Sequence, residues 1–175
     1  MAQTRSDALV VFGVTGDLAH KMILPSLYQM VRRGQLVEPV IGVALDNWSV
    51  EQLAERAREA VQAQFGTVDE AVFAKLKALL RYVSGDYKAA ATFDALKQAL
   101  GGARQPLFYL AIPPSLFGTV INALQAAGIA DKARLMVEKP FGHDLASARA
   151  LNVELHAAFE EDAVFRIDHF LGKEA

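Results

Sequence analysis

The sequence predicts an α/β fold built on a doubly wound, mostly parallel sheet of about six strands. Three observations lead there. Short apolar runs of strand length recur at residues 8–12 (ALVVF), 40–45 (VIGVAL), 107–112 (LFYLAI), 134–137 (RLMV) and 164–167 (VFRI), with a weaker one at 81–84 (RYVS). Between them lie longer stretches whose apolar residues recur at helical spacing. Five of the runs also end on residues suited to a turn or a ligand. Parallel sheets of this kind bind ligands there, beyond the carboxyl ends of their strands.

The run 8–12 closes on Gly13 and reads as a buried strand. Ala19, Met22, Ile23, Leu27, Met30 and Val31 then share one helical face, with Arg32 and Arg33 suited to the C-terminal dipole and Gly34 to the cap. Pro25 lies inside that pattern and predicts a kink or an irregular first turn. After the second strand, Ser49 and Gln52 form a capping-box pair ahead of Val50, Leu53, Ala57 and Val61. Thr67 and Glu70 repeat the pattern ahead of Val72, Phe73, Leu76 and Leu80. Residues 89–100 read as a helix that ends at Gly101-Gly102. The run 107–112 is stopped by Pro113-Pro114. A helix follows with Leu116, Val120, Ile121 and Leu124, ending at Gly128. The fifth strand leads into Glu138-Lys139-Pro140, and Leu145, Ala148, Leu151 and Leu155 form the last helical face.

Composition narrows the class. The 175 residues suit one domain, and 53% hydrophobic with 22% charged residues is an ordinary globular mix. A formal net charge of -2 gives no reason to expect nucleic acid or an anionic membrane as partner. There is no cysteine, which excludes disulfides and thiolate metal sites, and no metal site is expected. No apolar run approaches the roughly 20 residues of a membrane span, and no signal-peptide layout opens the chain. A cytoplasmic location is expected.

Four motifs carry chemistry. Gly13-Val14-Thr15-Gly16-Asp17-Leu18-Ala19 follows the first strand in a G-x-x-G-x-x-A pattern. Gly13 suits a tight turn, Gly16 a close backbone approach to a pyrophosphate, and Ala19 close helix–strand packing. The plain alternative is a glycine turn between two elements. Asp46 follows the second strand, where an acid accepts hydrogen bonds from ribose hydroxyls and repels a 2′-phosphate. Otherwise it is only an aspartate leading a helix. Lys139, between Glu138 and Pro140, can reach both a cofactor and a substrate oxygen, or it is a surface lysine before a turn. RIDHFLGKEA closes the chain with Asp168, His169 and Lys173. An Asp–His pair can serve acid–base or orienting work, and a lysine is a point charge suited to phosphate. The bland reading is a solvated helix start. His20, His143 and His156 have no comparable neighbours in sequence and read as surface or core residues.

The segments GVTGDLAHKMILPSLY, FYLAIPP, EKPFG and RIDHFLGKE resemble the coenzyme domain of the glucose-6-phosphate dehydrogenase family. They stand in the family's order and cover nearly the whole chain; EKPFG followed by RIDHFLGKE is the most specific part. The resemblance implies a Rossmann-like NAD(P)-binding domain over residues 1–175, ending just inside the active-site motif. A larger C-terminal α+β substrate domain, absent here, would complete the protein in cis. It implies oxidation of glucose 6-phosphate at C1 to 6-phosphogluconolactone in the oxidative pentose phosphate pathway, with hydride passing to the nicotinamide. A homodimer is expected of the full-length protein. By the family's pattern, Gly13, Val14, Thr15, Gly16, Asp17 and Leu18 hold the cofactor together with Asp46, Ala111, Ile112, Pro113 and Lys139. His169 and Lys173 grip the sugar phosphate. Asp168 orients the general-base histidine, Lys139 contacts substrate and cofactor, and Pro140 is a cis hinge residue.

Three departures qualify that expectation. The family's general-base histidine lies downstream of RIDHFLGKE, so these residues alone are expected to lack useful dehydrogenase activity. Phe170 stands where the family commonly has Tyr, which removes one hydroxyl contact to the phosphate. NADP-using members carry Arg in a G-x-A-R pattern after the second strand, whereas this chain reads Gly42-Val43-Ala44-Leu45-Asp46. The family implies NADP; Leu45-Asp46 in place of the arginine points to a protein that tolerates or prefers NAD. Two other readings remain open at this stage. One is a dehydrogenase of the glucose–fructose oxidoreductase type, with the EKP lysine but no RIDHFLGKE. The other is a nucleotide-binding module without catalysis.

Overall fold

In the computed structural model, described over residues 5–138 and 144–167, the run Ala8–Phe12 forms β1 at the centre of a six-stranded sheet. The others are β2 (Val40–Ala44), β3 (Leu80–Ser84), β4 (Pro106–Leu110), β5 (Arg134–Glu138) and β6 (Val164–Ile167). Their order is β3-β2-β1-β4-β5-β6, and every pairing is parallel. Register places Leu9 beside Val40 and Leu107, so β1 is flanked by β2 on one side and β4 on the other. The chain builds outward from β1 to β3, then returns to start β4 on its opposite edge. The order therefore switches between β1 and β4, and a cleft opens there.

Among the described residues, six α-helices cover the two faces: α1 (Leu24–Arg32), α2 (Val50–Phe65), α3 (Glu70–Leu79), α4 (Ala90–Leu100), α5 (Phe117–Ala126) and α6 (Leu145–Ala158). Because strand side chains alternate, each strand feeds both faces. Val11, Val40 and Ala44 pack with Leu27, Leu53, Val61 and Leu76 beneath α1, α2 and α3. Val10, Phe12, Ile41 and Val43 pack with Phe93, Leu96, Phe117, Ile121 and Leu155 beneath α4, α5 and α6. Burial on both faces explains why the strands read as continuous apolar runs.

Local rules set most boundaries. Ser49 and Gln52 form the expected capping box: Gln52 N–H donates to Ser49 Oγ at 3.2 Å, and Ser49 N–H donates to Gln52 Oε1 at 2.8 Å. The second box is corrected. Asp69, not Thr67, caps α3, its carboxylate accepting Ala71 N–H at 3.0 Å and Val72 N–H at 3.3 Å. With the helix starting at Glu70, that glutamate cannot occupy the third position, and it pairs with Arg58 at 2.5 Å instead. A box that the periodicity did not suggest, Asp144 with Ser147, starts α6.

The first helix is irregular at the place Pro25 predicts. A π turn spans Ala19–Ile23 before α1 begins. Pro25 has no N–H to give to the preceding turn, and Ser26 Oγ donates to Met22 O at 2.6 Å. The extra residue of the π turn moves the buried stripe onto Ile23, Leu24, Leu27, Tyr28 and Val31. Met22 and Met30, expected on that face, are 43% and 37% exposed. Leu145, expected on the last helical face, is likewise exposed, while Leu151 and Leu155 are buried. Two strands are shorter than their apolar runs. The second ends at Ala44 and leaves Leu45 70% exposed; the fourth ends at Leu110, with Ala111 N–H making one further bond to Phe12 O at 3.0 Å.

Candidate functional site

The turn after β1 is shaped by backbone. Gly13 has φ +82, and a Cβ there would lie 2.2 Å from Ala111 O. Only glycine adopts that conformation cheaply, and only glycine lets the turn pass so close to β4. Gly13 N–H donates to Val43 O at 2.9 Å, and Gly16 N–H donates to Gly13 O at 3.0 Å. A Cβ on Gly16 would meet nothing closer than Gly13 O at 3.3 Å, so the absent side chain leaves space on the outer side of the turn. Ala19 is fully buried behind it and brings the helix tight against the sheet.

Three strand exits converge on this turn. Gly13, Thr15 and Gly16 after β1, Ala44, Leu45 and Asp46 at β2, and Ala111, Ile112, Pro113 and Leu116 after β4 line one cleft. Asp86, Tyr87 and Lys88 after β3 complete it. The Thr15 hydroxyl donates to Asp46 Oδ2 at 2.5 Å, tying the first exit to the second. Tyr82, on β3, donates its hydroxyl to Asp46 O at 2.5 Å, and Trp48 N–H donates to the same oxygen at 2.9 Å. The Trp48 and Tyr82 rings stack with centroids 6.4 Å apart. Tyr87 donates to Val43 O at 3.2 Å and packs edge-on against Phe12 at 5.7 Å. Asp86 accepts Lys88 N–H at 2.8 Å, while Thr92 Oγ1 donates to Asp86 O at 2.7 Å. The carboxyl edge of the β1–β3 half is thus cross-linked by side-chain hydrogen bonds and ring contacts.

Electrostatics follow from burial and from Asp46. Burial, and then the Asp46 carboxylate, push the Tyr82 and Tyr87 phenols up to about 12, so both stay protonated donors at neutral pH. Asp46 is exposed, and its carboxylate already accepts from Thr15. The cleft offers acceptors to a ligand hydroxyl at this end, and its charges are the acids Asp46 and Asp86 with the cation Lys88.

The structure brings Gly13, Thr15, Gly16, Asp46, Ala111, Ile112 and Pro113 together, as the sequence pattern anticipates. Val14, Asp17 and Leu18 do not line this cleft. The Val14 side chain is 1% exposed and points into the core, where its Cγ1 would lie 2.6 Å from a Cβ on Gly42; only its backbone can face a ligand. Asp86, Tyr87 and Lys88 were missed, although the carboxyl-end rule applied to the weak third strand would have found them. Lys139, Pro140, Asp168, His169, Phe170 and Lys173 lie outside the described residues, as does His143. His156 does have a partner, Glu161, at 3.2 Å on the surface. His20 keeps its Nδ1 enclosed and without a hydrogen bond.

Other hollows lie elsewhere. One lined by Gln105, Lys132, Arg134 and Phe159 opens near the amino end of β5, away from the glycine turn. Among the described residues, no group of three or more metal-ligating side chains gathers, and no helix is long and apolar enough to cross a membrane.

Comparison with known proteins agrees with this geometry. A family model described as "Glucose-6-phosphate dehydrogenase, NAD binding domain" matches residues 10–175. Glucose-6-phosphate 1-dehydrogenase 1 of Mycobacterium tuberculosis is 46% identical over 169 residues, covering 97% of this chain and 36% of the relative. Glucose-6-phosphate 1-dehydrogenase of Saccharomyces cerevisiae is 38% identical, again over 97% of this chain and 36% of its own length. Among solved structures, glucose-6-phosphate 1-dehydrogenase from Mycobacterium avium superposes with a TM-score of 0.92 at 49% identity, over 97% of this chain and 37% of that one. A glucose-6-phosphate dehydrogenase in complex with its substrate glucose-6-phosphate superposes with a TM-score of 0.86 at 36% identity, over 99% of this chain and 39% of that one. The chain thus spans somewhat over a third of the length of the relatives it matches. A parallel sheet of order β3-β2-β1-β4-β5-β6, a glycine turn at its switch point and these matches together show that the chain belongs to the glucose-6-phosphate dehydrogenase family, in its NAD binding domain.

Proposed function

We propose that residues 1–175 form the coenzyme half of a glucose-6-phosphate dehydrogenase, with a nicotinamide dinucleotide lying across the carboxyl ends of β1, β2 and β4. The single observation that carries this reading is the Gly13 turn at the switch between β1 and β4, too close to Ala111 O for any side chain. Such a turn presents backbone N–H groups and a helix start to a pyrophosphate. The residues fit that group: Gly16 is open outward, and Thr15 and Asp46, hydrogen-bonded to each other on the same cleft, offer acceptors suited to a ribose diol. Gly13, Val14, Thr15, Gly16, Asp17 and Leu18 would hold the phosphates and Asp46 the ribose diol. Ala111, Ile112 and Pro113 would wall the side toward the nicotinamide. The bound coenzyme supplies acceptance of the hydride that leaves C1 of glucose 6-phosphate, forming 6-phosphogluconolactone. In that reaction Lys139 would contact substrate and coenzyme, His169 and Lys173 would grip the sugar phosphate, and Asp168 would orient a general-base histidine from the remainder of the full-length protein. A homodimer of that protein belongs to the same proposal.

The preferred coenzyme is NAD. A 2′-phosphate offers only acceptors and needs cationic donors. Here the Thr15 hydroxyl donates to Asp46, so the pair presents acceptors to an incoming group. A ribose 2′-hydroxyl can donate to that carboxylate, whereas a phosphate would lie against it. Paired titrations of the full-length protein with NAD and NADP test the reading: NAD should bind at least as tightly, and tenfold tighter NADP binding would refute the preference. Failure to bind either nucleotide would refute the coenzyme site itself.

A further inference from the structure

We propose that the hydrogen bond from Tyr109 to Glu138 is a positioning clamp that fixes the carboxyl ends of β5 and β6, the strands that precede Lys139 and Asp168 in the sequence. This rests on the reading above, in which those two residues serve the reaction. Register supplies the argument. Tyr109 on β4 is paired with Met136 on β5, so Glu138, two residues on, faces the same side of the sheet one step nearer its carboxyl edge. The Tyr109 ring packs against the core on the α1 side, and its hydroxyl reaches forward to donate to Glu138 Oε1. Glu138 is the last residue of β5, and its register partner on β6 is Ile167, the last residue of that strand.

Glu138 therefore stands at a junction. The next residue in the sequence is Lys139, and the residue after its β6 partner Ile167 is Asp168. Glu138 and Ile167 form the last described pair of the β5–β6 ladder, and terminal pairs fray most easily. A charge-assisted bond from a half-buried phenol ring packed on the core ties the edge of three strands to it. Tyr109 touches no reacting atom in this scheme; it acts by holding Glu138. Productive geometry tolerates little displacement, so loosening this edge lowers turnover while the nucleotide contacts at Gly13, Gly16 and Asp46, on the other strands, stay in place.

The test uses the full-length protein and Tyr109→Phe, which keeps the ring and removes only the donor. First, turnover with glucose 6-phosphate should fall about tenfold, while the nucleotide KM and the melting temperature change little. Second, backbone amides of Val137, Glu138, Arg166 and Ile167 should exchange with solvent about tenfold faster, while those of β1 and β2 are unchanged. Third, Tyr109→Phe should add nothing in a Glu138→Ala background, because the bond is already gone. Unchanged exchange at these four amides, or additive losses in the double variant, overturns the clamp. So does a fall in kcat that only tracks loss of folded protein. If the wild-type protein does not oxidise glucose 6-phosphate at all, the functional reading fails. The exchange measurements on the single and double variants then still decide whether the clamp exists.

Discussion

The Thr15 hydroxyl reaches across from the turn after β1 and donates to Asp46 Oδ2 at 2.5 Å. The bond spends the one hydroxyl proton that Thr15 could offer to a 2′-phosphate, and it fixes a carboxylate at the same place. Asp46→Ser should therefore shift the ratio of NADP to NAD affinity toward NADP by about tenfold, roughly the 1.4 kcal/mol expected of one screened charge. Adding Leu45→Arg, at an exposed position on the same cleft, should shift it further, because a guanidinium suits phosphate. Tryptophan fluorescence can follow both titrations, since Trp48, the one tryptophan in the chain, stacks on Tyr82 beside the site. An unchanged ratio in both variants would remove Asp46 from coenzyme choice.

Gly13 and Gly16 should fail in different ways. An alanine at position 13 meets Ala111 O at 2.2 Å and carries φ +82, so strain and collision add. Gly13→Ala should cost about 3 kcal/mol of stability, visible as a melting temperature lower by roughly 9 °C. Gly16→Ala has only a 3.3 Å contact to accommodate. It should stay within about 1 kcal/mol of the parent and instead weaken dinucleotide binding by crowding the phosphate approach. Equal destabilisation by the two would contradict the geometry.

The Asp69 carboxylate accepts the capping hydrogen bonds from the Ala71 and Val72 N–H groups. Its own N–H donates to Tyr28 Oη at 2.9 Å, which ties the start of α3 to α1. Asp69→Ala should cost about 1 kcal/mol, while Thr67→Ala should be nearly neutral. Urea midpoints of the two variants decide which residue is the cap.

The strands were legible because parallel pairing buries both faces and leaves runs such as ALVVF and LFYLAI with nothing polar to confuse them. The glycine turn and Asp46 were legible because strand exits are where such sheets bind. The exit after β3 was not. RYVS is a strand at the edge of the sheet, half exposed, and its short polar alternation hides the rule that would have flagged Asp86, Tyr87 and Lys88. Side-chain direction was also invisible. Val14 sits within the G-x-x-G pattern, yet its side chain packs on the Gly42 backbone, because a tight turn must send one residue inward. The π turn at Ala19–Ile23 moved two methionines off the core face, a one-residue effect that periodicity cannot resolve.

Alkaline pH gives the last check on this site. Burial, with Asp46 behind it, holds the Tyr82 and Tyr87 phenols at about 12 in the folded protein, against 10.0 for an ordinary tyrosine. The folded state thus keeps two protons that the unfolded chain releases first. The unfolded state binds fewer protons across this window, so stability falls as pH rises. The contribution is complete below about pH 10 and is lost progressively as pH climbs through about 12. Tyr87→Phe loses the bond to Val43 O, about 1 kcal/mol at pH 8, but it should flatten the decline above pH 10. Asp46→Asn should flatten it less, because burial outranks the carboxylate as the cause. Urea midpoints collected from pH 8 to pH 11.5 separate the cases. A slope unchanged in Tyr87→Phe would mean that another group controls alkaline unfolding.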